Sequence, residues 1–496
     1  MKKYLLEVVV FICGAVVMIL EMVGSRLLSP YMGTSIIVWT SLIGIILASL
    51  SVGYWWGGAI SDRNPNAKTF SRIIFLAAVL VFVMNIGKAY LLSFIQEHVS
   101  DIRIGTVVAA ILLFAPPSIL LGMVSPYAVR LKMHDLQTSG KTVGRLYSIS
   151  TIGSIFGTFF AGFFLISYFG STNIMFILSV TLVMTSILAA GQSGCKLKTA
   201  VALLFLFLPH ASPVAALQNP KSLQHFIDVD TDYNRIWIYD AVDLKSHRPV
   251  RFMWTGRTAQ SIMYLDGPDI HSKYFEFFDI AGVLKPDLHS TLMIGGAAFV
   301  YPKYFLETFP DVNMDVVEID PKLLDLAKNH FSLRDDPRLG VFFEDGRTYL
   351  NKTQKKYDVI FSDAFQANAS IPYQLVTREA VQKMNDVLMD DGVVLVNIVC
   401  PNAPQQSDFL KVAVKTFKSV FPQVYLFRAD PSKKFDEARQ NIVLLALKTT
   451  DMNIINTSNL SLSGYFENLL PGSLDTELPV LTDEFAPVDR YTYYGQ

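Results

Sequence analysis

The residues best able to do chemistry stand at the ends of short apolar runs in the second half of the chain. Gly295-Gly296 follows Thr291–Ile294, Glu318 ends Asp315–Ile319, Asp345-Gly346 follows Gly340–Phe343, and Asp363 follows Tyr357–Ser362. A glycine pair without Cβ atoms lets a nucleoside approach the backbone. Glu318, 22 residues beyond Gly296, is spaced to accept from both hydroxyls of a ribose, and an acid after the third run can accept from an adenine amino group. One glycine pair is weak evidence, and isolated acids at such places are ordinary caps and turns. Glycine, acid, acid and acid at consecutive run ends make a nucleoside site the better reading. The glycines do not complete a dinucleotide fingerprint, and no phosphate-cradling GxxxxGK[ST] loop is present. The site therefore suits adenosine without a pyrophosphate, which points to an S-adenosyl sulfonium compound rather than NAD or ATP.

Such a site needs a scaffold that lines up strand ends. From about Gln218 the pattern turns to short strands. His225–Val242, Arg251–Thr255 and Gln260–Leu265 read as a small antiparallel sheet with a turn at Asp266-Gly267. Strand and helix then alternate through the four runs above to a fifth strand, Val393–Asn397. That alternation predicts a mostly parallel, doubly wound sheet, a Rossmann-like fold of the methyltransferase type. In open sheets of this kind, ligands bind beyond the carboxyl ends of the strands. His225 and His271 read as surface-loop residues, and Trp237 and Trp254 as packing.

The first half is a different material. The chain of 496 residues is 51% hydrophobic and 17% charged with mean hydropathy +0.36, and the apolar excess lies before about residue 217. Runs of about 20 apolar residues can span a bilayer as helices. Seven candidates occur: Tyr4–Leu28, Ile36–Ile60, Ile73–Ile95, Gly105–Tyr127, Leu146–Phe169, Thr172–Ala190 and a weaker Thr199–Leu217. The expected organisation is a multi-pass α-helical membrane domain at 1–217, a small antiparallel β subdomain at 218–270 and the Rossmann-like domain at 271–496. Lys and Arg collect in alternate loops, a strong orientation signal. Seven spans would put the two halves of the chain on opposite sides of that signal and six would not, so the side on which the site faces stays open. Glu21, Arg26, Asn85 and Lys88 lie within spans, where polar groups face a bundle interior or a cavity. Gly44, Gly53, Gly57, Gly58, Gly153, Gly157 and Gly162 suit close helix contact. A net charge of −1 and the lack of a basic run argue against nucleic acid as a partner. Cys13, Cys195 and Cys400 are too scattered for a redox pair, and no metal-ligand spacing is present.

Motifs then narrow the chemistry. Met293-Ile-Gly-Gly-Ala-Ala-Phe299, Val317-Glu-Ile-Asp320, Asp336-Pro-Arg338, Glu344-Asp-Gly346 and Tyr357-Asp-Val-Ile-Phe-Ser-Asp363 resemble the spermidine synthase (polyamine aminopropyltransferase) family. Tyr264-Leu-Asp-Gly267 and Tyr274-Phe-Glu276 fall where that family places substrate-gate strands. Glu21-Met-Val-Gly-Ser-Arg26, Ser61-Asp-Arg63, Gly144-Arg-Leu-Tyr147 and Leu481-Thr-Asp-Glu-Phe-Ala-Pro-Val-Asp489 are similar to its membrane-fused branch. The resemblance implies transfer of an aminopropyl-type arm from a sulfonium donor to an amine, with release of 5′-methylthioadenosine. By the same resemblance Asp363 is the proton acceptor, and Asn234, Gly295, Gly296, Glu318, Asp345 and Gly346 bind the donor. Tyr264, Tyr274 and Gln366 are candidates for the acceptor cleft.

Several positions depart from the family pattern. Ala298 stands where an aspartate grips the donor's amine, Gln366 where a second acid follows the catalytic one, Phe275 in place of a histidine and Ile270 in place of a glutamine. The adenosine half of the site is thus better kept than the polyamine half. Three readings follow. The first is an alkyl (aminopropyl) transferase. The second is a cyclase or lyase acting on S-adenosylmethionine alone, and the third is a non-catalytic nucleoside-sensing or transport-linked membrane protein. No permanently bound cofactor is expected; S-adenosylmethionine or its decarboxylated form is the co-substrate. The expected partners are that sulfonium nucleoside, a polyamine or other amine, the lipid bilayer and, since soluble members of the family commonly pair, a second copy of the chain.

Overall fold

The structure is a computed structural model that describes residues 4–32, 36–99, 101–133, 139–190, 224–255, 258–364, 372–400, 406–430, 440–450, 465, 467–470 and 474–493. The chain divides into two units, one of Met1–Leu223 with Asp228–Ile236 and one of Gln224–Ile227 with Trp237–Gln496.

In the first unit, six of the described helical spans are long and apolar enough to cross a membrane: Leu5–Met32, Ile36–Arg63, Ala67–His98, Arg103–Lys132, Ser139–Leu165 and Ser171–Ala190. The expected seventh, Thr199–Leu217, lies outside the described residues. Small residues bring helices into backbone contact. A Cβ on Gly53 would lie 2.2 Å from the Ile119 carbonyl, and one on Gly157 would lie 2.4 Å from that of Ala15. Gly57 and Gly153 are similarly crowded, whereas nothing among the described residues lies within 4 Å of a Cβ built on Gly44, Gly58 or Gly162. Two of the polar groups inside the unit, Asn85 and Lys88, find partners. Lys88 donates to Asn85 Oδ1 at 2.6 Å and Thr172 Oγ1 at 2.9 Å, and Asn85 donates to the Thr172 carbonyl at 3.1 Å. Large apolar side chains such as Trp55, Tyr90 and Phe163 point outward, 73%, 82% and 78% exposed.

The α/β part begins with a four-stranded sheet in the order β1-β2-β3-β4, formed by Gln224–Asp230, Arg235–Val242, Pro249–Thr255 and Thr258–Tyr264. The main sheet has seven strands. These are β5 Ser290–Ile294, β6 Asn313–Glu318, β7 Leu339–Phe343, β8 Tyr357–Ser362, β9 Leu388–Cys400, β10 Gln423–Arg428 and β11 Gln440–Leu447. Their order is β10-β11-β9-β8-β5-β6-β7. Pairings from β7 to β9 are parallel, while β11 and β10 run antiparallel. The fifth strand is longer than its predicted Val393–Asn397, and the antiparallel pair at the edge was not expected.

The central strands are apolar on both faces, as a sheet covered by helices on both sides requires. Leu292, Ile294, Ile360, Val394 and Val396 pack into one core, while Met293, Val359, Phe361, Val393 and Leu395 pack into the other. Along β9 the alternation is strict, so a register slip of one residue would exchange the two cores.

Candidate active site

Strand order places a crevice between β5 and β8. From β5 the chain steps outward to β6 and β7, then returns to start β8 on the other side of β5. Doubly wound sheets bind ligands at such a reversal. Gly295 leaves β5 with φ +93°, a conformation that suits glycine alone. A Cβ there would lie 2.7 Å from the Asp363 carbonyl. The Asp363 N–H donates to the Ile294 carbonyl at 2.9 Å and the Gly295 N–H to that of Val317 at 2.9 Å. The two loops are thus stapled to the strands on either side of the crevice.

Asp363 is partly buried and held by neutral donors. Tyr274 donates its hydroxyl to Oδ2 at 2.8 Å, and Asn397 donates Nδ2–H to Oδ1 at 2.8 Å. Asn441 in turn donates to Asn397 Oδ1 at 2.9 Å, which fixes the Asn397 amide with its NH2 group toward the carboxylate. Burial pushes the Asp363 carboxyl up to about 6, and the bonds from Asn397 and Tyr274 only partly offset it. The result is a carboxylate that takes or gives a proton near neutrality.

The other acids are held differently. Glu318 Oε2 accepts from the N–H groups of Gly296 and Ala297 at 2.9 and 3.0 Å, and Oε1 accepts from Asp320 N–H at 3.1 Å. Burial raises its pKa against these bonds. A carboxylate offers about four acceptor positions, so Glu318 keeps capacity for a ribose hydroxyl while it ties the glycine loop to β6. Asp345 caps the helix Gly346–Lys352, accepting from Thr348 N–H at 3.0 Å. Its second oxygen stands 3.5 Å from Gln374 Nε2. Gly346 is required by packing, since a Cβ would lie 2.6 Å from Ile294 Cγ2.

A cleft of about 740 Å³ opens onto Asp363 and is lined by Tyr264, Tyr274, Ala297 and Asn397, among others. Tyr264 ends β4, as a gate strand would. Tyr274 does not lie on a strand: Tyr274–Phe278 is a short helix that buries Phe275, Phe277 and Phe278, and this burial turns the Tyr274 hydroxyl toward Asp363. His271 sits in the bend after β4 with its side chain half-buried. It lines the cleft with Nε2 3.4 Å from Asp243. Trp254 lines it too.

Asn234 lies in the turn between β1 and β2. Within the first unit it lines a cavity of about 200 Å³ with Arg26 and Trp39, where Arg26 donates to the Thr231 carbonyl at 2.8 Å. Gln366 falls outside the described residues. Sequence reasoning missed Asn397 and Asn441. Asn397 is a polar residue near the end of an apolar strand, the same signal that marked Glu318 and Asp363.

Residues 278–430 match the spermine/spermidine synthase domain. The chain is 25% identical over 275 residues to a polyamine aminopropyltransferase of Vibrio vulnificus, covering 51% of this chain and 88% of that protein. It is 28% identical over 235 residues to a probable polyamine aminopropyl transferase of Bifidobacterium longum, covering 44% and 52%. A 158-residue stretch is 29% identical to an eEF1A lysine and N-terminal methyltransferase of Xenopus laevis, covering 30% of this chain and 22% of that protein. Among solved structures, a probable spermidine synthase from Corynebacterium glutamicum aligns at 20% identity with TM-score 0.40, covering 46% of this chain and 83% of that one. The matched residues 278–430 lie within the α/β part of the chain and include Asp363 and the strand ends around it.

Proposed function

We propose that the chain is a membrane-bound alkyltransferase of the aminopropyl type. An S-adenosyl sulfonium donor sits over Gly295 and Gly296, with its ribose on Glu318 and its adenine near Asp345. An amine attacks the methylene beside sulfur. The new N–C bond forms as the C–S bond breaks, and the pair stays on sulfur as neutral 5′-methylthioadenosine. The proton lost from the attacking amine passes to Asp363.

The observation that carries this reading is the setting of Asp363, a carboxylate at the strand-order reversal with a pKa near 6. A base poised near working pH is what proton removal needs. The sulfonium is already a good leaving group, so alignment in the cleft supplies the rest. The six long helices, with Trp55, Tyr90 and Phe163 facing outward, support a bilayer location for residues 1–217.

The test uses the purified full chain in detergent with decarboxylated S-adenosylmethionine and an amine. Methylthioadenosine is the expected product. S-adenosylhomocysteine from the intact donor would mark methyl transfer instead, and nucleoside binding without turnover would mark a sensor.

A further inference from the structure

The cleft wall beyond Asp363 is charged in a way that bears on what enters it. Every carboxylate among the described residues that line it has partners within the fold. Asp363 accepts from Tyr274 and Asn397. Asp243 accepts from the N–H of Ser246 at 2.6 Å and from its hydroxyl at 2.7 Å, faces His271, and is held down to about 2, chiefly by the Ser246 bonds. Asp430 stands 3.8 Å from Lys245 Nζ and 3.5 Å from Lys273 Nζ. The cations are the exposed members. The Lys245 and Lys273 side chains are 80% and 50% exposed, and their distances to Asp430 are those of loose pairs. His271 adds a buried Nδ1 without a hydrogen-bond partner.

A polycation entering here would face the two ammoniums, while the carboxylates among the described lining residues are already engaged, and like charges brought together in a cleft are costly. A carboxylate would be met by lysines able to swing onto it through charge-assisted hydrogen bonds. We propose that the cleft takes a substrate that carries a carboxylate, bound by Lys245 and Lys273, and discriminates against multiply charged amines. This rests on the alkyl-transfer reading above and specifies its substrate class. The carboxylate has two sources: the donor itself, if intact S-adenosylmethionine is used, or an amino-acid acceptor. In the first case the donor's own amine displaces sulfur. An N–C bond closes a small ring, the C–S pair stays on methylthioadenosine, and the ammonium proton goes to Asp363.

Matched pairs separate these sources. Methylthioadenosine release by the full chain is measured with S-adenosylmethionine alone against its decarboxylated form alone. It is then measured for the decarboxylated donor with ornithine against 1,4-diaminobutane, which differs only by the carboxylate. The carboxylate-bearing member of at least one pair is expected to show a kcat/KM higher by about tenfold or more, the scale of one charge-assisted bond. The Lys245→Ala, Lys273→Ala double variant should lose that preference through KM, and the corresponding double Lys→Arg variant should keep it. Equal or better turnover of the diamine and no turnover of the intact donor overturns this inference alone, as does a preference that survives the double Ala variant. No methylthioadenosine in any arm overturns the alkyl-transfer reading and this inference with it.

Discussion

The two sides of the crevice hold their carboxylates by opposite means. On the β5–β6 side, Glu318 is gripped by three backbone N–H groups of the glycine loop and the β6 end. Backbone donors are fixed in place and favour the ionised form, so this side is a rigid seat. On the β8–β9 side, Asp363 is held by a phenol and an amide, with burial lifting its pKa to about 6. Neutral side-chain donors tolerate either protonation state. Under the function proposed above, the difference would divide binding and proton transfer between the ends of β6 and β8, on either side of β5.

The largest expected effect breaks the reactive side. Asp363→Asn should lower turnover by roughly 10²- to 10⁴-fold, the range for loss of a positioned base, while nucleoside affinity measured by calorimetry stays within a few-fold. The same variant carries a stability signature. The wild-type carboxyl titrates near 6 when folded against an ordinary 3.8, so between these values the folded state binds more protons than the unfolded. The Asp363 contribution to stability therefore falls as pH rises from about 4 to 6 and levels off above. Melts of Asp363→Asn against wild type should show no difference near pH 4. Near pH 8 the variant should gain on the order of 3 kcal/mol, and a variant less stable there would mean that burial does not penalise this charge.

Next in size is the structural side. Glu318→Gln turns an amide NH2 toward backbone donors and leaves at least one buried N–H unmatched, at about 1–3 kcal/mol. Donor affinity should fall by roughly ten- to a hundredfold, with kcat at saturating donor nearly kept. The two variants together form a double dissociation. If Glu318→Gln instead abolished kcat at saturation with affinity intact, the division between the two sides would collapse.

The division was partly legible in the sequence. Strands β5 to β8 and the residues at their ends follow from short apolar runs bounded by glycine and acids, because a buried parallel strand has little freedom to look otherwise. Asn397 ended the expected fifth run and carried the same polar signal, but its role depends on Asn441 across the sheet. No local period reports such a pairing. The Tyr274–Phe278 helix was illegible for another reason: five residues are too few to show a period, and burial of three phenylalanines decided the conformation. In the helical half, composition marked the spans, but which glycines touch a neighbour depends on which helix face is covered. Gly53 and Gly58 differ only in that respect.

The donors to Asp363 offer a finer test. Bonds from Asn397 and Tyr274 each lower its pKa against burial, so removing either should raise it. The wild-type kcat/KM should climb through about pH 6 to a plateau as Asp363 ionises. Tyr274→Phe and Asn397→Ala should each move that rise upward by about one pH unit, with smaller losses on the plateau. Asn441→Ala should shift it in the same direction by less, since it acts only by orienting Asn397. A downward shift in any of the three would contradict the hydrogen-bond assignment.

The smallest effect lies at the cleft mouth. The Arg248 guanidinium sits 3.9 Å over the Tyr264 ring and pairs with Asp266 at 2.7 Å and Asp269 at 2.8 Å. It braces the end of β4 against the turn that follows. Because these groups are solvent-exposed, their pairing is weak, and Arg248→Ala should raise the KM of the second substrate by roughly threefold, the scale of an exposed cation–π contact. Donor affinity and kcat should stay unchanged, because neither the glycine loop nor Asp363 touches this brace. A loss of kcat in this variant would mean that the mouth and the reactive acid move together, and the two sides of the crevice would then no longer be independent of the wall that closes them.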